Sequence, residues 1–198
     1  MSSEIVSNPP GATPAHAWIP RRSVGEMPAP LADYLAPRIR RLNYLGEMFQ
    51  VAANAPEVLL QFMHFTDALK EAVPFDIGET VVLTVASLMD NRYERHQHER
   101  LCLRNGLSRA WLADVTTLRS GALSTPQRAA QSYAIAALAT RGKGAHAEFD
   151  ALAAHFTPAQ AIAIAFLVGR YVTHALVVNT LDLEPPVPSV FEDGFDPD

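Results

Sequence analysis

DIGETVVLTVASLMDNRYERHQHERLCLRNGLS, residues Asp76 to Ser108, is the stretch whose reading decides the fold. It reads as two consecutive helices. Asp76 is placed to cap the first, and Glu79 stands three residues on, the spacing of a capping box. The run from Val81 to Met89 carries no charge, and a helix apolar on every side is one that other helices surround. Its β-branched residues also suit a buried strand; the start signal and the helical pattern that follows favour helix. The second helix is predicted from about Asn91 to Asn105. Gly106 supplies a left-handed stop, and Ser108 can cap the next helix.

At about 100° per residue, Asn91, Glu94, His98, Leu101, Cys102 and Asn105 share one side of the second helix. Arg92, Arg100 and Arg104 lie on the other. If the first side packs inward, Glu94 and His98 become a partly buried titratable pair. Burial raises a carboxylate pKa and lowers a histidine pKa, while mutual attraction opposes both shifts. Such a pair can pass a proton near neutral pH. Turned outward, the same two residues are only a helix-surface pair, worth about 0.2–0.5 kcal/mol.

Glu79, Asn91, Glu94 and His98, followed by Gly106-Leu107-Ser108, resemble the core motif of the carboxymuconolactone decarboxylase / alkyl hydroperoxidase D-like superfamily. The decarboxylase-like branch has Tyr-Glu-Trp, two residues, then His; here the run is Tyr93-Glu94-Arg95-His96-Gln97-His98. In the peroxidase branch a Glu precedes a Cys-x-x-Cys pair that is followed by a His. On that pattern Glu79 and His98 take the glutamate and histidine positions, and Asn91 and Glu94 stand where the two cysteines would be. Both redox cysteines are therefore missing, and Arg95 replaces the Trp. The resemblance runs from about Pro30 to Leu183. It implies an all-α multi-helical bundle of the alkyl hydroperoxidase D-like type and a homo-oligomer, trimer or hexamer. It also implies acid–base chemistry on a small organic acid or lactone, of the lyase (decarboxylase-like) kind. His98 would be the acid/base, Glu94 its orienting or relaying partner and Glu79 the group behind them, with Arg95, Tyr93 and Asn91 as substrate-binding candidates. The alternatives are a peroxidase-related protein without the dithiol and a non-catalytic ligand-binding scaffold.

Composition agrees with a protein of this kind. At 198 residues, 48% of them hydrophobic, the chain can bury a sizeable core. A net charge of −5 argues against nucleic acid as partner. One cysteine excludes an intrachain disulfide and fits a reducing compartment. The N-terminus has no apolar signal region, and the most apolar helix, after Pro158, is interrupted by Arg170 and His174. The expectation is a cytoplasmic protein with a small-molecule substrate, no membrane and no cofactor.

Outward from the central pair, residues 1–30 form a Pro-rich N-terminal arm or tail, with Trp18 and Ile19 as its possible anchor. Residues 31–183 are the helical domain. Helices are predicted over Tyr34 to Leu42, Tyr44 to Asn54 and Glu57 to Ala72, the last with Pro56 in its first turn and with Val58, Leu59, Phe62, Phe65 and Leu69 as core. Further helices follow over Arg109 to Leu118, Thr125 to Thr140 with Thr125 as cap, and His146 to Phe156. A last one runs from Pro158 to about Thr180, opened by a Thr157/Gln160 capping box. Residues 184–198 are an acidic, Pro-rich tail, either a second arm or solvated. Arg141-Gly142-Lys143-Gly144 is a turn rather than a phosphate loop, since it lacks the Walker pattern and a preceding strand. His64, and the pair Tyr171 and His174, read first as structural residues and only second as site lining. His96 and His98 lie about 200° apart on a helix and cannot share an ion, so no metal is expected. Cys102 reads as a buried, inert thiol.

Overall fold

The structure, a computed structural model, describes residues 18–192. Among these, nine α-helices and no strand are present. They are α1 (Ala29–Leu42), α2 (Glu47–Ala52), α3 (Pro56–Ala72), α4 (Phe75–Leu88), α5 (Arg92–Arg104), α6 (Arg109–Thr116), α7 (Thr125–Thr140), α8 (His146–Ala153) and α9 (Pro158–Thr180). The all-α expectation holds. The described residues group into two units, one up to His64 with Leu181–Leu183, the other Phe65–Thr180 with the residues from Glu184 onward.

In the first unit Met27, Leu31, Leu35, Ala53, Leu59 and Met63 form the buried core. Helix α1 starts at Ala29, earlier than expected, because Pro30 sits in the first turn, where its missing N–H costs nothing. Pro9, Pro10 and Pro14 of the expected N-terminal arm lie outside the described residues. Trp18 is 79% exposed. The segment is held by Arg21 on Glu47 at 2.9 Å, by the Arg22 N–H on Gln50 O at 3.0 Å and by Asn54 Nδ2 donating to Pro20 O. Two residues assigned to the core of α3 are exposed, Val58 at 70% and Phe65 at 38%. His64 is exposed, its ring edge-on to Tyr34.

The second unit is built around α4, which packs against α5, α6, α7 and α9. That encirclement explains its sequence: from Glu79 to Ala86 every residue is buried, so no side can carry an exposed charge. Thr80 and Thr84 satisfy their hydroxyls by donating to Asp76 O and Thr80 O one turn back. The start of α4 corrects the expected capping box. Pro74 occupies the cap position and no side chain caps the helix. Asp76 is the second residue of the first turn and accepts from Gln127 Nε2 at 2.8 Å instead. A tight connection through Asp90, in the left-handed region at φ 50°, returns the chain antiparallel as α5. The predicted stops and starts around it are present: Gly106 has φ 84°, and Ser108 accepts from Trp111 N–H. Helix α7 is capped by Ser124, one residue before the expected Thr125, with Gln127 completing the box. Thr157 and Gln160 cap α9 reciprocally.

Helix α9 meets the length and composition of a membrane span, with mean hydropathy 1.8 over its most apolar stretch, which the sequence reading did not expect. Of that stretch 56% is buried within the protein, and Ala161, Ile164, Leu167, Val168 and Ala175 are core. Its small residues let α4 and α8 approach closely, as expected of a central bundle helix.

The chain after Glu184 is not a solvated tail over its described part. Glu99 is 1% exposed; its Oε2 accepts from Ser189 Oγ at 2.6 Å and from Val190 N at 3.1 Å. Arg100 donates to Pro188 O, Arg109 to Val190 O, and His96 Nδ1 meets Val187 O at 3.2 Å. Val190 joins Leu83, Cys102, Trp111 and Leu112 in a second core. Residues 193–198 lie outside the described residues. Replacing Glu99 by Ala leaves the Ser189 and Val190 donors without their acceptor, at a cost of about 1–3 kcal/mol. Chemical denaturation should register that loss, and limited proteolysis should cut the variant within residues 184–192 while sparing the wild type.

Candidate active site

Helix α5 carries Glu94 and His98 one turn apart, and the side they share faces inward, 8% and 7% exposed respectively. The surface-pair alternative is excluded. Because α4 runs antiparallel beside α5, Glu79 comes level with His98, and His98 Nδ1 lies 2.6 Å from Glu79 Oε2. A distance that short requires a shared proton, which Nδ1–H donates to the carboxylate. Cys102 donates its S–H to the same oxygen at 3.6 Å.

Glu94 is engaged from the other side by α9. Arg170 Nη1 approaches Glu94 Oε1 at 3.2 Å, His174 Nε2 the same oxygen at 3.6 Å and His98 Nε2 at 3.9 Å. Arg170 is itself fixed by Nε donating to Thr66 Oγ1 at 2.9 Å, and its guanidinium stacks 4.1 Å over the Tyr171 ring. Asn91 caps α5 by accepting from Glu94 N–H at 3.1 Å. Its amide nitrogen is thereby turned toward His174 Nδ1, 3.3 Å away. Tyr171 Oη lies 3.5 Å from His98 Nε2, with the two rings edge to face.

The electrostatics of this cluster correct one expectation. Burial works to raise the Glu94 pKa, but the positive charges of His174, His98 and Arg170 outweigh it and hold the carboxyl well below the usual range. Glu94 is thus a fixed negative charge rather than a proton carrier near neutral pH. Cys102 moves the opposite way. Burial, then the charge of Glu79 and the bond to it, push the thiol up, so it stays protonated. It is the inert thiol the sequence suggested.

A cavity of about 100 Å³ opens beside this cluster, lined by Leu69, Val73, Phe75, Val82, Leu101 and Leu167 with Lys70, Gly78, Glu79 and Tyr171. Glu79 and Tyr171 therefore face the cavity, with His98 behind both and Glu94 behind His98. The order along the sequence-derived chain of residues is the reverse of the one expected. None of the three substrate-binding candidates lines this cavity. Arg95 lies a third of a turn from Glu94 and pairs with Glu99 at 3.6 Å on the side that holds residues 184–192. Tyr93 is buried, its ring 6.1 Å from that of His174, and Asn91 serves as cap and as partner of His174. Arg170 was missed altogether. A lone charge in the middle of an apolar helix was the available signal, since an arginine there stays buried only if paired. His174 and Tyr171, read first as core, belong to the site. Among the described residues no group of three or more His, Cys, Asp or Glu side chains is placed to hold a metal ion.

No protein-family model and no curated protein sequence matches the chain. Solved structures do. A peroxidase-related protein with the alkylhydroperoxidase AhpD core from Ralstonia eutropha JMP134 superposes with a TM-score of 0.73 at 19% identity, covering 84% of this chain and 90% of its own. A peroxidase-related protein from Silicibacter sp. TM1040 gives 0.77 at 16% identity, with 91% and 95% covered. A debrominase in complex with 2,3,4-tribromopyrrole gives 0.66 at 16%, with 80% and 88% covered. The chain therefore has the alkylhydroperoxidase D-like all-α fold. At these identities the likeness establishes the fold alone.

Breaking the buried cluster has a measurable pH signature. The depressed folded-state pKa of Glu94 means that its charge stabilises the fold fully above the unfolded value near 4.5, and that this contribution declines progressively as pH falls from there toward the depressed folded-state value. Glu94→Gln should cost about 3–5 kcal/mol at pH 7, because Arg170 loses a buried partner. The gap to wild type should narrow on going to pH 3, as measured by urea unfolding at both values.

Proposed function

We propose that this protein is an acid–base enzyme acting on a small organic molecule, with Glu79 as the group that exchanges a proton with the substrate. The observation that carries this reading is the buried Glu79–His98 contact at 2.6 Å on the wall of a cavity. A substrate proton, from carbon next to the carbonyl of a ketone or a lactone, passes to Glu79. The carboxylate becomes neutral and the substrate anionic. Tyr171 Oη, on the same wall, is placed to donate a hydrogen bond to the developing anion. The proton is then returned from Glu79 to a different atom of the substrate. His98 holds Glu79 in one orientation and can share its proton through Nδ1. The fixed charges of Glu94 and Arg170 set the potential at His98.

The experiment is a turnover screen over small lactones, enolisable ketones and β-keto acids. Glu79→Gln and His98→Ala should each lower turnover by about 10²–10⁴-fold, the usual range for general acid–base groups. A substrate turned over equally well by both variants would sink the assignment.

A peroxidase-related role is the second reading, favoured by the names carried by two structures of the same fold. Without a dithiol it would have to use Cys102, whose buried, protonated thiol speaks against it. Peroxide consumption that vanished in Cys102→Ser would favour this second reading.

We also infer a homo-oligomer, as the fold's relatives led us to expect. Ile162, Phe166, Leu176 and Val177 form an exposed apolar stripe along α9. Phe166→Glu should shift the protein to a smaller species in multi-angle light scattering; a wild type that already runs as a monomer would refute the oligomer.

A further inference from the structure

The cavity beside Glu79 also says what kind of molecule it takes. Its walls are the aliphatic side chains of Leu69, Val73, Val82, Leu101 and Leu167, and its mouth is marked by Phe75 and Lys70, both exposed. At its inner end stands Glu79, 4% exposed. Both donors to that carboxylate, His98 Nδ1–H and Cys102 S–H, converge on Oε2. Among the described residues nothing donates to Oε1. Oε1 therefore keeps its acceptor capacity, on a side chain that lines the cavity.

From this we infer that the site binds a neutral, compact, apolar molecule carrying one O–H or N–H donor, of the phenol or pyrrole kind, and discriminates against carboxylates. The donor meets Glu79 Oε1 and the carbon body meets the aliphatic walls. A carboxylate would place a second negative charge against Glu79 in a poorly solvated space, where like charges repel strongly. Lys70 cannot reverse this from the exposed rim, where its charge is screened. Size agrees: an apolar cavity of ~150 Å³ holds benzene, and about 100 Å³ open at the mouth suits a single small ring. The inference rests on the reading of Glu79 as the group that faces the substrate.

The test is a set of NMR titrations of the full chain with phenol, toluene and benzoate, following the backbone amides of Gly78, Val82 and Leu167. Phenol should bind most tightly and benzoate at least about tenfold more weakly. Glu79→Gln should weaken phenol by about 10–100-fold, the range of a hydrogen bond to a charged group. Toluene should be little changed in that variant, which also reports that the cavity is intact, and benzoate should tighten because the amide can donate. A second variant narrows the space: a Cβ at Gly78 meets Leu167 and Val73 at 4.0 Å, ordinary contact, so Gly78→Leu, its fold checked by far-UV circular dichroism, should bind none of the three. Benzoate binding as tightly as phenol, phenol indifferent to Glu79→Gln, or no shift at these amides with any ligand would each overturn the inference. Glu79-dependent phenol binding without turnover of any screened substrate would uphold the ligand class and defeat the catalytic reading. Glu79-dependent turnover of carboxylate substrates alone would do the reverse.

Discussion

A negative charge buried at Glu94 is the constraint on which the second unit depends. Taking a carboxylate out of water is expensive, and the expense is offset only when cations and donors surround it closely. Arg170 and His174 supply them from α9, His98 from α5 itself. Each is in turn held by a further polar group, Arg170 by Thr66 and His174 by Asn91. Such a network tolerates few alternatives. If α9 slid by one turn along α5, the Arg170–Glu94 and His174–Glu94 contacts would be broken. The cluster therefore fixes the register of α9 against α5 more sharply than the surrounding leucines and alanines, whose packing is less directional.

The same arrangement separates two groups that could otherwise compete for protons. Glu94, ringed by cations, stays ionised. Glu79 sits across His98 from it, at the boundary between that charged interior and an apolar cavity. The histidine touches both carboxylates. On the motif that the sequence resembles, positions 91 and 94 align with a redox cysteine pair. Here a capping asparagine and a carboxylate occupy them. The remaining thiol, Cys102, donates a weak hydrogen bond and is kept neutral by its surroundings.

Helix α5 is unusual in having polar residues buried on two sides. Glu94 and His98 face the core, while His96 and Glu99 face residues 187–190. One short helix thus ties the end of the described chain to the element that carries the site. Arg95, Arg100 and Arg109 complete that attachment, which is why the basic residues of this region are absent from the cavity.

Helical periodicity and end signals were legible in the sequence. They place Glu94, His98 and Cys102 on one side of α5, mark its start at Asn91 and its stop at Gly106, open α9 at Thr157, and make α4 a helix that others must enclose. Those are local properties, set by 3.6 residues per turn and by the need to satisfy the first backbone donors and last acceptors of each helix. The pairings were not local. His98 meets Glu79 nineteen residues away and Glu94 meets Arg170 seventy-six residues away, and the periodicity of each helix alone carries no information about its rotation and sliding against another. Asp76 and Glu79 had the spacing of a cap, yet Pro74 took that position and left Glu79 to His98. Arg95 had the nearest charge in sequence to the site, yet a third of a turn pointed it at Glu99. Which buried charges face each other, and which of them meets the cavity, was decided by tertiary packing, because a buried charge is stable only in the register that supplies its partner.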